Sequence, residues 1–276
     1  MLRDVWSIKD NKVGLGGAAV LSVPAHFGAE QRQAMVSAGE AAGLHVAGTI
    51  DEPLAAVSAA MELGLLPGEL SGGLVAVLDV GGRTTQCSIV DCGLGATDLK
   101  LVGADWTPEA GGEQIALTIV DLLDKAFAAK NGGFSLSGDP FALPRLHEAA
   151  AAAKVELSKS QQASVNVPFI TADASGPKHL EETVTRAMLE RAIDPLLRKA
   201  REPCAGALSS AGVSAPSALS AALLVGGCSR VPAVQALARE AMRGAPAVVV
   251  AEEGGEEVHT HIYEVYTKYV LTWCLL

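Results

Sequence analysis

The sequence predicts an α/β fold with antiparallel sections. Three observations predict it. Short apolar, β-branched runs alternate with helical patterns along the chain. Two of those runs meet across a glycine turn, as the strands of a hairpin do. Others are separated by helical stretches long enough to act as crossovers. The chain has 276 residues and is 49% hydrophobic, so it can bury a sizeable core in one large domain or two modest ones.

The elements follow in order. "AAVLSVPA" (Ala18 to Ala25) reads as a buried strand that stops at Pro24. "EQRQAMVSAGEAAG" (Glu30 to Gly43) reads as a helix closed by glycine. "HVAGTI" is a short strand. "DEPLAAVSAAMELG" (Asp51 to Gly64) opens with an acid at the N-cap and a proline in the first turn, a helix start. "SGG" (Ser71 to Gly73) is a break. A hairpin runs from Leu74 to Asp91, and a strand is expected near Leu99 to Gly103. In "GGEQIALTIVDLLDKAFAAK", Ile115, Ile119, Leu122, Leu123 and Phe127 share one helical face. "PRLHEAAAAAKVELS" (Pro144 to Ser158) is a helix on propensity alone. "ASVNVPFI" reads as a strand and "TADASGPKH" as a turn. Thr185 to Ala207 looks helical. "AALLVGG" (Ala221 to Gly227) is a buried strand entering a glycine turn, and "VPAVQALAREAM" is the helix after it.

Charge and cysteines bound the function. With 21 basic and 31 acidic residues the formal net charge is −10, which argues against a nucleic-acid backbone as partner. Cys87, Cys92, Cys204, Cys228 and Cys274 show no CxxC spacing, so neither a zinc site nor a disulfide framework is signalled. Their odd number fits reduced thiols in a cytosol-like compartment. No secretion signal opens the chain and no apolar run reaches membrane-spanning length, so no membrane role is expected. His259 and His261 lack companion ligands and read as a solvated strand face.

Three glycine-pair turns could carry chemistry. In "VAVLDVGGRTTQCSIVD" (Val75 to Asp91), Gly81 and Gly82 let backbone N–H groups approach an anion, and Thr84 adds a hydroxyl. Asp79 at the strand end could hold Mg²⁺ through water or orient an attacking water. An ordinary glycine hairpin with a surface acid fits the same residues. In "GGEQ", Gly111 and Gly112 open a helix whose N-terminus suits phosphate, and Glu113 could accept from a ribose hydroxyl. A helix start with an acid near its dipole fits equally. "LLVGGCSRVP" (Leu223 to Pro232) puts Gly226 and Gly227 between a strand and a helix, a flat surface for a base or ribose or a plain turn.

The order of these motifs resembles the ATPase domain of the 70-kDa heat-shock chaperones, in its bacterial or organellar form. Five stretches carry it: "VPAHFGAEQRQAM", "AGLHVAGTIDEPLAAV", "LDVGGRTTQCSIV", "AAKVELSKSQQASVNVPFITADASGPKHL" and "LLVGGCSRVPAVQ". The resemblance implies an actin-like ATPase fold that binds ATP or ADP with Mg²⁺, for ATP-dependent protein folding. It implies a remnant of the first lobe at 19–70 and a largely complete second lobe at 71–250, with an outer subdomain at about 115–190. Segments 1–18 and 251–276 diverge from the family, and the first lobe is expected to be truncated.

The resemblance implies these roles. Pro24 is the switch proline. Glu52 acts through water near Mg²⁺, and Asp79 lies near the terminal phosphate, so no residue is a direct metal ligand. Gly81, Gly82 and Thr84 surround the phosphates. Gly111, Gly112 and Glu113 contact ribose and phosphate. Lys154 and Ser158 contact the adenosine, and Gly226, Gly227 and Arg230 form its loop. Implied partners are J-domain and nucleotide-exchange co-chaperones, with no client-peptide domain, in the cytoplasm or an organelle.

Departures from the family set a further expectation. Its first phosphate loop and catalytic lysine have no counterpart upstream of Ala19. Arg83 replaces a loop glycine, at a backbone cost if φ is positive there; its side chain either fills phosphate space or pairs with a phosphate. Gln86 replaces a carboxylate, Ala151 a glutamate and Cys228 a serine. Weak nucleotide binding with slow or no hydrolysis is expected. A non-hydrolysing decoy that occupies co-chaperones and a product without a stable role are the alternatives. The part from Leu74 to Val250 is expected to fold on its own, and the sheet edge at Val20 to Val23 to be open.

Overall fold

The computed structural model describes residues 18–66, 70, 72–95, 98–174 and 176–250. The expectations for residues 1–17 and 251–276, with His259, His261 and Cys274, lie outside the described residues, as does Ser71.

Two parallel strands, β1 (Ala18–Val23) and β2 (His45–Asp51), are joined by helix α1 (Ala29–Ala41). Gly39 makes this unit close-packed. A Cβ there would lie 2.9 Å from Val46 and 3.1 Å from Leu21, so no larger residue lets α1 sit this low on the strands. Helix α2 (Glu52–Glu62) leaves β2 directly, with Pro53 in its first turn. Asp51 holds the N-cap position but does not cap the helix with its side chain. Its carboxylate instead accepts from Arg32 Nη2 at 2.5 Å, which ties α2 back to α1.

The main sheet has the order β5-β4-β3-β8-β9. The strands β3 (Leu74–Val80), β4 (Thr84–Asp91) and β5 (Lys100–Pro108) are antiparallel neighbours. On the other side of β3, β8 (Ala221–Val225) and β9 (Val248–Val250) run parallel to it. Alternation divides the sheet's residues between its faces. Ala76, Leu78, Val80, Cys87 and Ile89 enter a large core, to which helix α3 (Gly112–Lys130) gives Ile115, Ile119 and Phe127. Helices α4 (Ala142–Lys159), α5 (Arg186–Ser210) and α6 (Pro232–Ala241) complete that core. Val75, Val77, Val90, Leu223 and Val225 face the other way, onto Ala56, Val57 and Ala60 of α2.

That second face changes one expectation. The part from Leu74 to Val250 does not cover its own sheet; α2 does, with Leu66 and Leu70. Three strand readings are also corrected. β5 extends to Pro108 because Thr107 and Trp106 pair with Thr85 and Gln86, beyond the apolar stretch that marked it in the sequence. The "TADASGPKH" turn is shorter than read. β6 (Gln162–Asp173) turns into β7 (Gly176–Thr185), whose inward positions hold only Leu180 and Val184 among polar neighbours. β9 was not anticipated; its three valines extend the parallel side of the sheet. Among the described residues no helix is long and apolar enough to cross a membrane.

Candidate functional site

The glycine turn between β3 and β4 is locked to the head of α3 by backbone bonds. Gly81 N–H donates to Thr84 O at 3.0 Å and closes the turn. The three turn carbonyls then accept from the helix head: Gly81 O from Gly112 N–H (2.9 Å), Gly82 O from Glu113 N–H (2.7 Å) and Arg83 O from Ala110 N–H (3.1 Å). Thr85 Oγ1 donates to Ala110 O at 2.6 Å. The expected phosphate-facing helix start therefore differs from the observed one. The N–H groups of Gly112 and Glu113 serve the turn, and that of Gly111 goes to Gln114 Oε1 at 3.1 Å.

Packing explains the glycines at two of these positions. A Cβ on Gly111 would lie 2.6 Å from the carbonyl carbon and oxygen of Gly82. Gly226, at φ +89°, has a conformation that side chains disfavour, and its Cβ would lie 2.3 Å from Asp79 Oδ1. Arg83 carries no such strain, since the described non-glycine residues with positive φ are Glu109 and Phe169. The conditional cost of arginine at that position does not arise. Its Nε instead lies 3.1 Å from Glu113 Oε2, with both side chains half exposed or more.

The three turns border one cleft of about 770 Å³. Of the predicted residues, Gly81, Gly82, Gly112, Glu113, Lys154, Ser158, Gly227 and Arg230 line it. Lys154 Nζ donates to Gly112 O at 3.0 Å, which fixes the ammonium at the mouth of α3. Ser158 Oγ is turned back onto Lys154 O at 3.1 Å. Thr84, Gly111 and Gly226 are not among the lining residues; Gly111 packs on Gly82, and Gly226 on Asp79 and Val80. Pro24 lies elsewhere, at the end of β1, where its carbonyl accepts from Phe27 N–H at 3.0 Å. The sequence reading did not single out Lys159, Val155 and Val231 as lining. Cys228 also lines the cleft, with Sγ 3.4 Å from Gly81 O.

Glu52 and Asp79 occupy a separate, water-sized cavity of about 10 Å³, with Gln86 between them. Register puts them together: Asp79 pairs with Gln86 across the hairpin, on the face that α2 covers. Gln86 Nε2 reaches Glu52 Oε2 at 3.0 Å and Asp79 Oδ2 at 3.4 Å. Burial, then the Asp79 charge, push the Glu52 pKa up to about 7, against the pull of the Gln86 amide. Burial likewise raises Asp79, again opposed by Gln86. Gln86 Oε1 is buried without a partner, as is Nδ1 of His26. His26 stacks on Trp106 of β5 at 4.3 Å between ring centres. Burial lowers its pKa; the Gln86 side chain opposes that lowering, without an aligned bond from its oxygen.

A mixed sheet with α2 on one face, helices on the other and a cleft at the strand-end glycine turns defines a nucleotide-binding domain of the actin-like ATPase fold. The model of the family described as Hsp70 protein matches residues 11–253. The chain belongs to the Hsp70 family.

Proposed function

We propose that the chain binds an adenine nucleotide, ATP or ADP with Mg²⁺, in the cleft between the β3–β4 turn and α4, as the nucleotide-binding part of a heat-shock chaperone of bacterial or organellar type. One observation carries this reading. In a protein of net charge −10, the cleft gathers Arg83, Lys154, Lys159 and Arg230 against the single carboxylate of Glu113. A cationic concavity beside glycine turns concentrates anions. The volume of about 770 Å³ lies within the range of small-molecule sites, about 300–1,000 Å³. Ala116, Val155 and Val231 offer an apolar wall for a base.

The acid pair would reach a magnesium ion in the cleft only through water, since its own cavity of about 10 Å³ is the size of one water molecule. Glu52 and Asp79 offer hard oxygen donors, and each is raised by burial, a penalty that a divalent cation nearby relieves. Magnesium, when bound with the nucleotide, neutralises phosphate charge. Glu52 and Asp79 hold and orient water at the end of β3, and Gln86 spaces the two carboxylates. We infer slow turnover because the group between the acids is a neutral amide, which adds no negative charge to the metal's surroundings and cannot take a proton from water.

Co-chaperones of the J-domain and nucleotide-exchange types are the proposed partners. The four described cysteines are free thiols, which agrees with the cytosol or an organelle matrix. Titrating the purified chain with Mg-ADP by calorimetry, and following phosphate release from Mg-ATP, tests the reading. Saturable binding with release far slower than nucleotide exchange is expected. No heat and no thermal shift with either nucleotide overturns it.

A further inference from the structure

The geometry points to Arg83 as a phosphate-engaging residue of the cleft, paired with Glu113 and surrendered to the anion on binding. This deepens the nucleotide reading and rests on it.

Three observations converge on that residue. Arg83 stands at the tip of the β3–β4 turn and lines the cleft with Glu113. Its guanidinium meets Glu113 Oε2 at 3.1 Å, with the two side chains 78% and 50% exposed. Pairs this open to water are weak and screened by salt. The backbone around it also keeps two donors unspent. The carbonyls of Gly81, Gly82 and Arg83 are all bonded to the head of α3. Among the described residues no acceptor takes the N–H of Gly82 or of Arg83. Two successive amides without a protein acceptor and a guanidinium thus stand on one turn, donors that an anion at the turn would find.

The exchange favours phosphate for a geometric reason. Glu113 offers the guanidinium one carboxylate from the first turn of a helix whose backbone is bonded to the loop. A phosphate group presents several oxygens. It can take two parallel N–H bonds from the guanidinium and further bonds from the loop amides. Release also frees the Glu113 carboxylate, exposed at the same mouth, to accept from a ligand hydroxyl. Arg83 is unstrained, so the turn keeps its shape whether or not the guanidinium is engaged. The consequence is selectivity for the phosphorylated end of the ligand, above whatever the base contributes.

The test compares adenosine with ADP, both with Mg²⁺, by calorimetry on wild type, Arg83→Ala, Glu113→Gln and the double variant. Arg83→Ala is expected to weaken ADP about tenfold, equivalent to about 1.4 kcal/mol, and to leave adenosine unchanged. Glu113→Gln frees the arginine and is expected to tighten ADP about threefold, a gain that vanishes in the double variant. Circular dichroism melts of each variant check that the fold is kept. Equal or tighter ADP binding by Arg83→Ala overturns the proposal while the nucleotide reading stands. An unchanged ADP affinity in Glu113→Gln overturns the exchange with Glu113. Wild type that binds neither adenosine nor ADP overturns both readings together.

Discussion

Replacing Glu52 by Gln should stabilise the protein by an amount that grows as pH rises from about 4.5 to about 7 and is full above that. Glu52 shares the Gln86 amide with Asp79 inside a water-sized cavity. Its folded pKa is about 7, against an ordinary value of 4.5. Between those two values the folded chain holds a proton that the unfolded chain releases. Stability from this group is therefore complete below pH 4.5, falls as pH rises through the window, and is gone above about 7. At about 1.36 kcal/mol per pH unit the total is about 3 kcal/mol, an upper bound for a group that is not fully buried. Glutamine has no proton to lose and can accept from Gln86 Nε2 through its own oxygen. The variant should exceed wild type by up to about 3 kcal/mol at pH 8 and match it only below about pH 4. In melting temperature that is on the order of 6–10 °C for a chain of this size. Urea unfolding at several pH values in magnesium-free buffer with a chelator measures it. A difference between variant and wild type that is the same at pH 5 and pH 8 refutes the account of the buried pair.

Two further outcomes follow from the packing. Gly226→Ala forces a side chain into a positive-φ position with its Cβ 2.3 Å from Asp79 Oδ1. It should cost at least about 2 kcal/mol in chemical denaturation, and a loss under about 0.5 kcal/mol would contradict the geometry. Expressing residues 72–250 alone uncovers Val75, Val77, Leu223 and Val225, which α2 buries. At about 1.5 kcal/mol or more per side chain, that chain should aggregate in size-exclusion chromatography, whereas one beginning at residue 44 should not.

The sequence made the helices and the paired strands legible wherever period and punctuation agreed. Gly43, Pro53 and the glycines of the hairpin mark their boundaries well. β7 escaped because Lys178 and Glu182 occupy inward positions of its alternation, leaving Leu180 and Val184 as the buried ones. β9 escaped because three valines are too short a run to separate strand from loop. At the site, the glycine pairs could be read as close approaches, but not which atoms approach. That Gly111 makes room for the carbonyl of Gly82, and Gly226 for Asp79, depends on contacts between distant segments. Gln86 could be seen as a missing acid. That its amide would bridge Glu52 and Asp79, with His26 nearby, required the strand register and the placement of α2. Arg83 was ambiguous for the same reason, because its partner Glu113 lies on another element.

The three carbonyl bonds that fasten the hairpin tip to α3 have a mechanical consequence. The tip has no independent hinge: it travels with the helix or the bonds break. Residue 130, at the far end of that helix, ties onto β7, where Lys130 meets Glu182 at 2.6 Å. The hairpin tip, a helix of 19 residues and the β6–β7 ribbon are thus joined end to end.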